Sequence, residues 1–303
     1  MQGAIHVAGN AVVDVLVRVP ATLDLSEPSG DRWGKGTHLL EEPVEVLLGG
    51  CGAAAAYVLG RLGHPVILNT NLSRDVLGDL VRQWLDEARV EVLDGAHAEA
   101  TAAHIVHLDE AGGRRSVYYA GDKVRWERSL DESSPAWLLA SGYGRVDAED
   151  ARGLELLFSR SRQRGTRVAF DPSPWFAGRA SAELMSRLWG QVDLLLGTEE
   201  ELTHWCPAAS PQALAAALKA LGPERVVVKR GRDGAVYAAA DGVGQIGTRA
   251  VAAGNTIGAG DTFNACLVGQ LARGADTRTA VTAAVDLATG TVARGRGALG
   301  ALA

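Results

Sequence analysis

The sequence predicts an α/β fold: a mostly parallel central sheet flanked by helices on both faces, with a small β-sheet lid over one end. Three observations lead there. Downstream of Trp137, short apolar runs alternate with amphipathic stretches, the rhythm of β-α units that build a parallel sheet covered on both sides. Residues 101–121, TAAHIVHLDEAGGRRSVYYAG, break that rhythm: they alternate, turn at Gly112-Gly113 and alternate again, as an antiparallel hairpin does. The 303 residues are 47% hydrophobic and 22% charged, a composition that supports a large buried core and argues against disorder.

From the N-terminus, AIHVAGNAVVDVLV is an apolar run, the pair Gly9-Asn10, and a second run broken by Asp14, which predicts a buried strand ending at a polar turn. Pro20 to Gly36 shifts to Asp, Ser, Pro and Gly and reads as a loop or insertion. GGCGAAAAYVLGRLG, Gly49 to Gly63, is a tight glycine turn opening an alanine-rich helix that ends on glycine. PVILNTNL reads as a strand and DVLGDLVRQWLDEARV as an amphipathic helix. Beyond the hairpin, WLLASGY, RVAFDP, VDLLLGT and RVVVKRG read as strands; 147–164, 180–190, 211–222 and 260–273 read as helices. The hairpin and the stretches 13–20 and 37–47 stand outside this rhythm and are assigned to the lid. The expected division is a core of 1–12, 48–100 and 121–303, with lid segments 13–47 and 101–120.

The formal net charge of −6 offers no basic footprint for nucleic acid or an anionic membrane. Cys51, Cys206 and Cys266 are widely spaced with no CxxC pair, the pattern of reduced thiols in a cytoplasmic protein and not of a disulfide frame or zinc site. The opening MQGAIHVAGNAVVDVLVRVP has neither a basic leader nor a long apolar run, so no signal peptide or membrane anchor is expected.

The stretch NTIGAGDTFNA, Asn255 to Ala265, carries the chemistry. Helix N-termini expose unpaired N–H groups and attract anions, and glycines let those groups converge on one point. An aspartate beside such a nest repels the anion unless it takes a proton from an attacking hydroxyl while the nest steadies a migrating phosphoryl group. The competing reading is an aspartate that caps a helix after a glycine loop.

The segment Asn255-Thr256-Ile257-Gly258-Ala259-Gly260-Asp261 resembles the D-T-x-G-A-G-D signature of the ribokinase-like (PfkB) carbohydrate kinases. Further matches follow in order along nearly the whole chain: Gly9-Asn10 with Asp14, the Gly49-Gly50 turn, Asp75-Val76-Leu77-Gly78, Phe170-Asp171-Pro172, Glu199-Glu200-Glu201-Leu202, and Val228-Lys229-Arg230-Gly231 with Gly234. The resemblance implies a ribokinase-like fold and transfer of the γ-phosphoryl of ATP to a hydroxyl of a sugar. It implies Asp261 as the base and the N–H groups of Gly258, Ala259 and Gly260 as an anion hole. Asn10, Asp14, Gly49 and Gly50 would meet the sugar. Thr198, Lys229, Gly231, Gly234 and Asn255 would lie along the nucleotide, and Glu201 near Mg2+ and its waters. Taken without the resemblance, EEEL around Glu201 reads equally as an acidic helix start, and Lys229 as a lysine at a strand end.

The chain departs from the family pattern in four places. Ala54 replaces an asparagine that touches the sugar, and Thr198 replaces the first residue of N-x-x-E. Asn255 replaces the aspartate linked to a monovalent cation, so a K+ site keeps an oxygen and loses its charge. Ser173-Pro174-Trp175-Phe176 lacks the basic residue found where the acceptor is an acidic or keto sugar; Arg114 and Arg115 on the hairpin are available substitutes, but a solvated hairpin edge is the role their position favours. Trp33, Tyr118, Tyr119, Trp175 and Phe176 fall near the expected acceptor, where aromatic faces suit a sugar or a stacked base, which keeps a nucleoside acceptor open. A ligand-binding relative without activity is the alternative from another class, opposed by the intact Gly258-Ala259-Gly260-Asp261 run. GRGALG near the C-terminus leaves no room for a dinucleotide fold, and GDRWGKGT lacks the spacing of a phosphate loop. His104 and His107 alternate to opposite faces of a strand, so no metal ligation is expected of them. A homodimer through the lid edges is consistent with their apolar residues.

Overall fold

The computed structural model describes residues 3–19, 40–93, 99–109, 114–130, 134–249, 251 and 255–302. The first half forms β1 (Ile5–Ala8), β2 (Val12–Arg18), β3 (Glu45–Gly49), α1 (Cys51–Arg61), β4 (Val66–Asn69), α2 (Val76–Glu87), β5 (Val90–Val92), β6 (Ala102–Leu108) and β7 (Arg114–Tyr119). The second half forms β8 (Trp137–Ser141), α3 (Ala148–Gln163), β9 (Arg167–Asp171), α4 (Ala182–Trp189), β10 (Leu194–Thr198), α5 (Glu199–Thr203), α6 (Pro211–Ala220), β11 (Arg225–Lys229), β12 (Ala235–Ala239), β13 (Gly242–Ile246), α7 (Ala259–Ala272) and α8 (Thr277–Arg294). The insertion 20–36, with Trp33, and the turn at Gly112-Gly113 lie outside the described residues.

Nine strands make the central sheet in the order β13-β12-β11-β10-β9-β8-β1-β4-β5, and every pair from β11 to β5 is parallel. Successive side chains leave opposite faces. Val7 and Leu139 join one core cluster with α1, α2, α7 and α8, while Ala8, Leu138 and Ala140 join another with α3, α4 and α6. This is the expected fold class.

Two elements go beyond the sequence expectation. β12 and β13 add an antiparallel hairpin to the sheet edge, turned at Ala240-Asp241, with Gly242, at φ 113°, paired opposite Ala239. α8 is threonine-rich, and β-branched residues weaken a helical signal; its start is nonetheless capped by Asp276, which accepts from the Thr279 amide at 2.9 Å.

A second, four-stranded sheet has the order β3-β2-β6-β7. The expected hairpin is β6–β7, antiparallel, but the sheet's middle pair, β2 and β6, is parallel. Asp75 fastens the start of β6 to α2: it caps the helix through the Gly78 amide at 2.7 Å and accepts from the amide and hydroxyl of Thr101 at 2.8 and 2.7 Å. These bonds hold the Asp75 carboxyl below the usual carboxylate range although burial opposes them.

Glycines let α1 sit close to β1. A Cβ on Gly52 would fall 2.4 Å from the carbonyl carbon of Gly9, and Gly50, with φ 79°, turns the chain from β3 into the helix. The chain order reverses around β1, which has β4 on one side and β8 on the other. Open α/β sheets bind ligands at the carboxyl ends of strands beside such a switch point.

Candidate active site

The carboxyl ends of the parallel strands carry the polar residues. Asn10 follows β1, Tyr143 follows β8, Asp171 ends β9, Thr198 ends β10 and Lys229 ends β11. Against them stands the start of α7. Gly258 has φ 73°, and a Cβ there would meet the Ala298 amide nitrogen at 2.8 Å, so only glycine fits this entry to the helix. No side chain of the N-cap residue caps α7. The Ala259 amide turns back to the Thr256 carbonyl at 3.3 Å. Among the described residues beyond its own helix, the one group within 4 Å of a Cβ built on Gly260 is the Lys229 ammonium at 3.9 Å. The helix thus presents N–H groups and the positive end of its dipole to the cleft, the chemistry an anion needs.

Asp261 is the second residue after Ala259 in that first turn. It is half-buried. Burial pushes its carboxyl up to about 7; the Lys229 ammonium pulls it down, and Asp171, Asp14 and Glu201 push it up. Those three carboxylates come from three different elements, β9, β2 and α5, which converge on the start of α7. A carboxyl near 7 suits a proton acceptor at neutral pH.

Asp14, on β2, faces this side of the small sheet. Its Oδ1 lies 3.1 Å from His104 Nδ1, and its Oδ2 would lie 2.3 Å from a Cβ on Gly49. Gly49 is therefore required to leave the carboxylate room. His104 meets Tyr118 edge to face at 5.6 Å, and Tyr118 packs on Trp175 at 6.2 Å. Asn10 is spent differently. Its Oδ1 accepts from the Cys51 amide at 3.0 Å and its carbonyl from the Gly52 and Ala53 amides, so it caps α1 from outside the helix; its Nδ2 donates to Tyr118 Oη at 3.3 Å.

Glu201 is buried and both its oxygens are engaged. Oε2 accepts from the Thr198 amide at 2.7 Å within a capping box that Thr198 completes, and Oε1 accepts from Tyr143 Oη at 3.0 Å. Burial and then Glu201 push the Tyr143 phenol up, so it stays a donor. Among the described residues no cluster of three His, Cys, Asp or Glu could hold a metal alone. A carboxylate whose two oxygens each accept one hydrogen bond keeps spare lone pairs, which fits Mg2+, an ion that keeps several waters and takes one or two carboxylates. Asn255 Oδ1 accepts from the Ile257 amide at 2.9 Å. Gly231 and Gly234, with φ 53° and 82°, shape the turn after β11, where the Arg230 amide donates to the Gly234 carbonyl at 2.8 Å.

A sequence profile described as the pfkB family of carbohydrate kinases matches residues 15–300. The chain belongs to this family. It is 28% identical over 286 residues to a fructokinase of Salmonella typhimurium, covering 90% of this chain and 85% of that one. It is 27% identical over 241 residues to a nucleoside kinase of Methanothermobacter thermautotrophicus, covering 77% and 74%. A ribokinase II candidate from E. coli, solved in complex with ATP and Mg2+, superposes with a TM-score of 0.77 at 19% identity over 98% of this chain and 94% of that one. The fold is ribokinase-like, and the pfkB assignment makes the chain an ATP-dependent phosphotransferase by family.

Two expectations about single residues need correcting. Phe176 does not border the cleft; it is fully buried, 6.4 Å from the Phe170 ring, because it must fill the space under Gly142. Tyr119 points to the other face of its strand from Tyr118 and donates to Glu99 at 2.8 Å. Arg114 and Arg115 are exposed. Asp171, Asn264, Tyr143 and His104 are site residues to which the sequence assigned no role. If Asp261 takes the proton of an acceptor, turnover should rise with pH through about 7 and fall roughly tenfold per pH unit below it, because that carboxyl must be ionised; a profile flat from about pH 5.5 to about 8 would contradict this.

Proposed function

We propose that the protein transfers the γ-phosphoryl of ATP to a hydroxyl of a sugar bound between Asp14 and Asp261. The observation that carries this reading is Asp261 in the open first turn of α7, with Asp14 close enough across the cleft to act on its charge. Asp14, held by His104 and by the space Gly49 leaves, accepts hydrogen bonds from sugar hydroxyls. Asp261 takes the proton of the attacking hydroxyl. Of the Gly258, Ala259 and Gly260 run, the Ala259 amide is taken by the Thr256 carbonyl, which leaves the Gly258 and Gly260 amides to face the charge that gathers on the transferred group.

The nucleotide lies along Thr198, Gly231, Gly234 and Asn255 in this reading, without Lys229, whose ammonium turns inward to Asp171 and Asn264. Glu201 stands at the Mg2+ position, and Mg2+ when bound neutralises phosphate charge. Asn255 brings an amide and no charge, so K+ has little to hold it there. The small sheet of β3, β2, β6 and β7 closes over the acceptor and excludes water in this reading. Tyr118 and Trp175 supply aromatic surface at the acceptor end, which favours a nucleoside as the second reading.

The three cysteines are free thiols, consistent with a cytoplasmic enzyme. No described helix is long and apolar enough to cross a membrane. The outer face of the small sheet carries one continuous row, Val46-Val15-Ile105-Val117, whose outer members are exposed, Val117 at 64%. A second copy would cover that row, making a homodimer.

Incubation with ATP, Mg2+ and a panel of neutral sugars, acidic sugars and nucleosides should give phosphate transfer to at least one sugar. Transfer to nucleosides alone selects the second reading, and transfer to none removes both. In Asp261→Asn, ATP affinity should persist while turnover drops by about two to four orders of magnitude. Light scattering should show a dimer that Val117→Glu dissociates; a monomeric wild type would refute the lid interface.

A further inference from the structure

Lys229 was expected along the nucleotide, but its ammonium is turned inward. Its side chain is 12% exposed, and it donates to Asp171 Oδ2 at 2.7 Å and to Asn264 Oδ1 at 3.3 Å. Asn264 Nδ2 donates to the same Asp171 oxygen at 2.7 Å, which closes a triangle among β11, β9 and α7. The other Asp171 oxygen accepts from the Ser173 amide at 3.2 Å, and Ser173, at φ 58°, is anchored by its hydroxyl to the Gly142 carbonyl at 2.7 Å. Asn264 lies one helical turn beyond Asp261, and the ammonium faces Gly260. All three members are largely out of solvent, where an unpaired charge is costly and a satisfied network fixes geometry.

We propose that Lys229 is a positioning residue that, clamped by Asp171 and Asn264, fixes the first turn of α7 and balances the carboxylates around Asp261. The inference rests on the reading of Asp261 as the base. The charged and titratable groups facing Asp261 are Asp14 from β2, Cys51 from α1, Tyr143 after β8, Asp171 from β9, Glu201 from α5 and Lys229 from β11. Burial holds the Cys51 thiol and the Tyr143 phenol in their neutral forms. Burial also works against the Lys229 charge, yet Asp171 and Glu201 raise it above the usual lysine range, so it stays an ammonium. Three carboxylates therefore oppose ionisation of Asp261, and among the described residues Lys229 is the cation that counters them.

The test is a 13C titration of aspartate carboxyl groups, with the Asp261 signal assigned by its loss in Asp261→Asn. The midpoint should sit near 7 in the wild type. It should move up by about one pH unit in Lys229→Met and down in Asp171→Asn, since one change removes an attractive charge and the other a repulsive one. The double variant leaves no buried charge without its partner and should move the midpoint up by less; it replaces Lys229→Met if that protein does not fold. ATP affinity by calorimetry should stay within about threefold in Lys229→Met, as a residue that does not hold the nucleotide requires. A midpoint unmoved in both Lys229 variants, shifts of the same sign for Lys229 and Asp171, or a loss of ATP affinity with the midpoint unchanged each overturns the proposal. The titration needs no turnover. A wild type that phosphorylates no acceptor therefore counts against the phosphotransfer reading and leaves this result legible.

Discussion

Crowding of negative charge around Asp261 is the constraint on which the rest of the site depends. Asp14, Asp171 and Glu201 each raise the cost of a charged Asp261, and burial raises it further. Two positive features offset that cost: the N-terminal end of α7 and the ammonium of Lys229. A base in water near the ordinary carboxylate range would be ionised but weak. One held near 7 is both available and able to take a proton. The carboxylates are also not free to be removed, since Asp14 serves the acceptor and Glu201 serves the metal in the proposed reaction, and Asp171 holds the lysine.

The fold supplies this convergence through strand ends. β8, β9, β10 and β11 are neighbours and parallel, so their carboxyl ends line one edge of the sheet and deliver Tyr143, Asp171, Thr198 and Lys229 side by side. α7 reaches the same edge from outside that order, after the β12–β13 hairpin. The small sheet adds Asp14 from the far side, and its tie to α2 through Asp75 and Thr101 fixes where β6 begins. Asn10 joins the two parts: it caps α1 in the core and touches Tyr118 in the small sheet. Closure over an acceptor would therefore be felt at α1 as well as at the lid.

Much of this was legible because it depends on local pattern. The β-α alternation, the 101–121 hairpin and the glycine entry to α7 are written in period and turn chemistry, and the structure has all three. The β12–β13 hairpin has its signal in the Asp241-Gly242 pair between apolar runs. α8 was hidden by its threonines. The triangle of Asp171, Lys229 and Asn264 had no local trace: its members lie 58, 35 and 93 positions apart, and only the folded sheet brings them together. The inward turn of Lys229 follows from the same contacts. Phe176 was misplaced for a related reason, since an aromatic next to a site and one beneath it look alike in sequence.

The most direct measurement is a crystal structure with a non-hydrolysable ATP analogue, Mg2+ and the acceptor identified in solution. The account predicts the acceptor hydroxyl about 2.6–3.2 Å from an Asp261 oxygen, with the terminal phosphoryl group facing the open amides beside Gly260. An acceptor hydroxyl bound out of reach of Asp261, with the phosphates away from the start of α7, would contradict it.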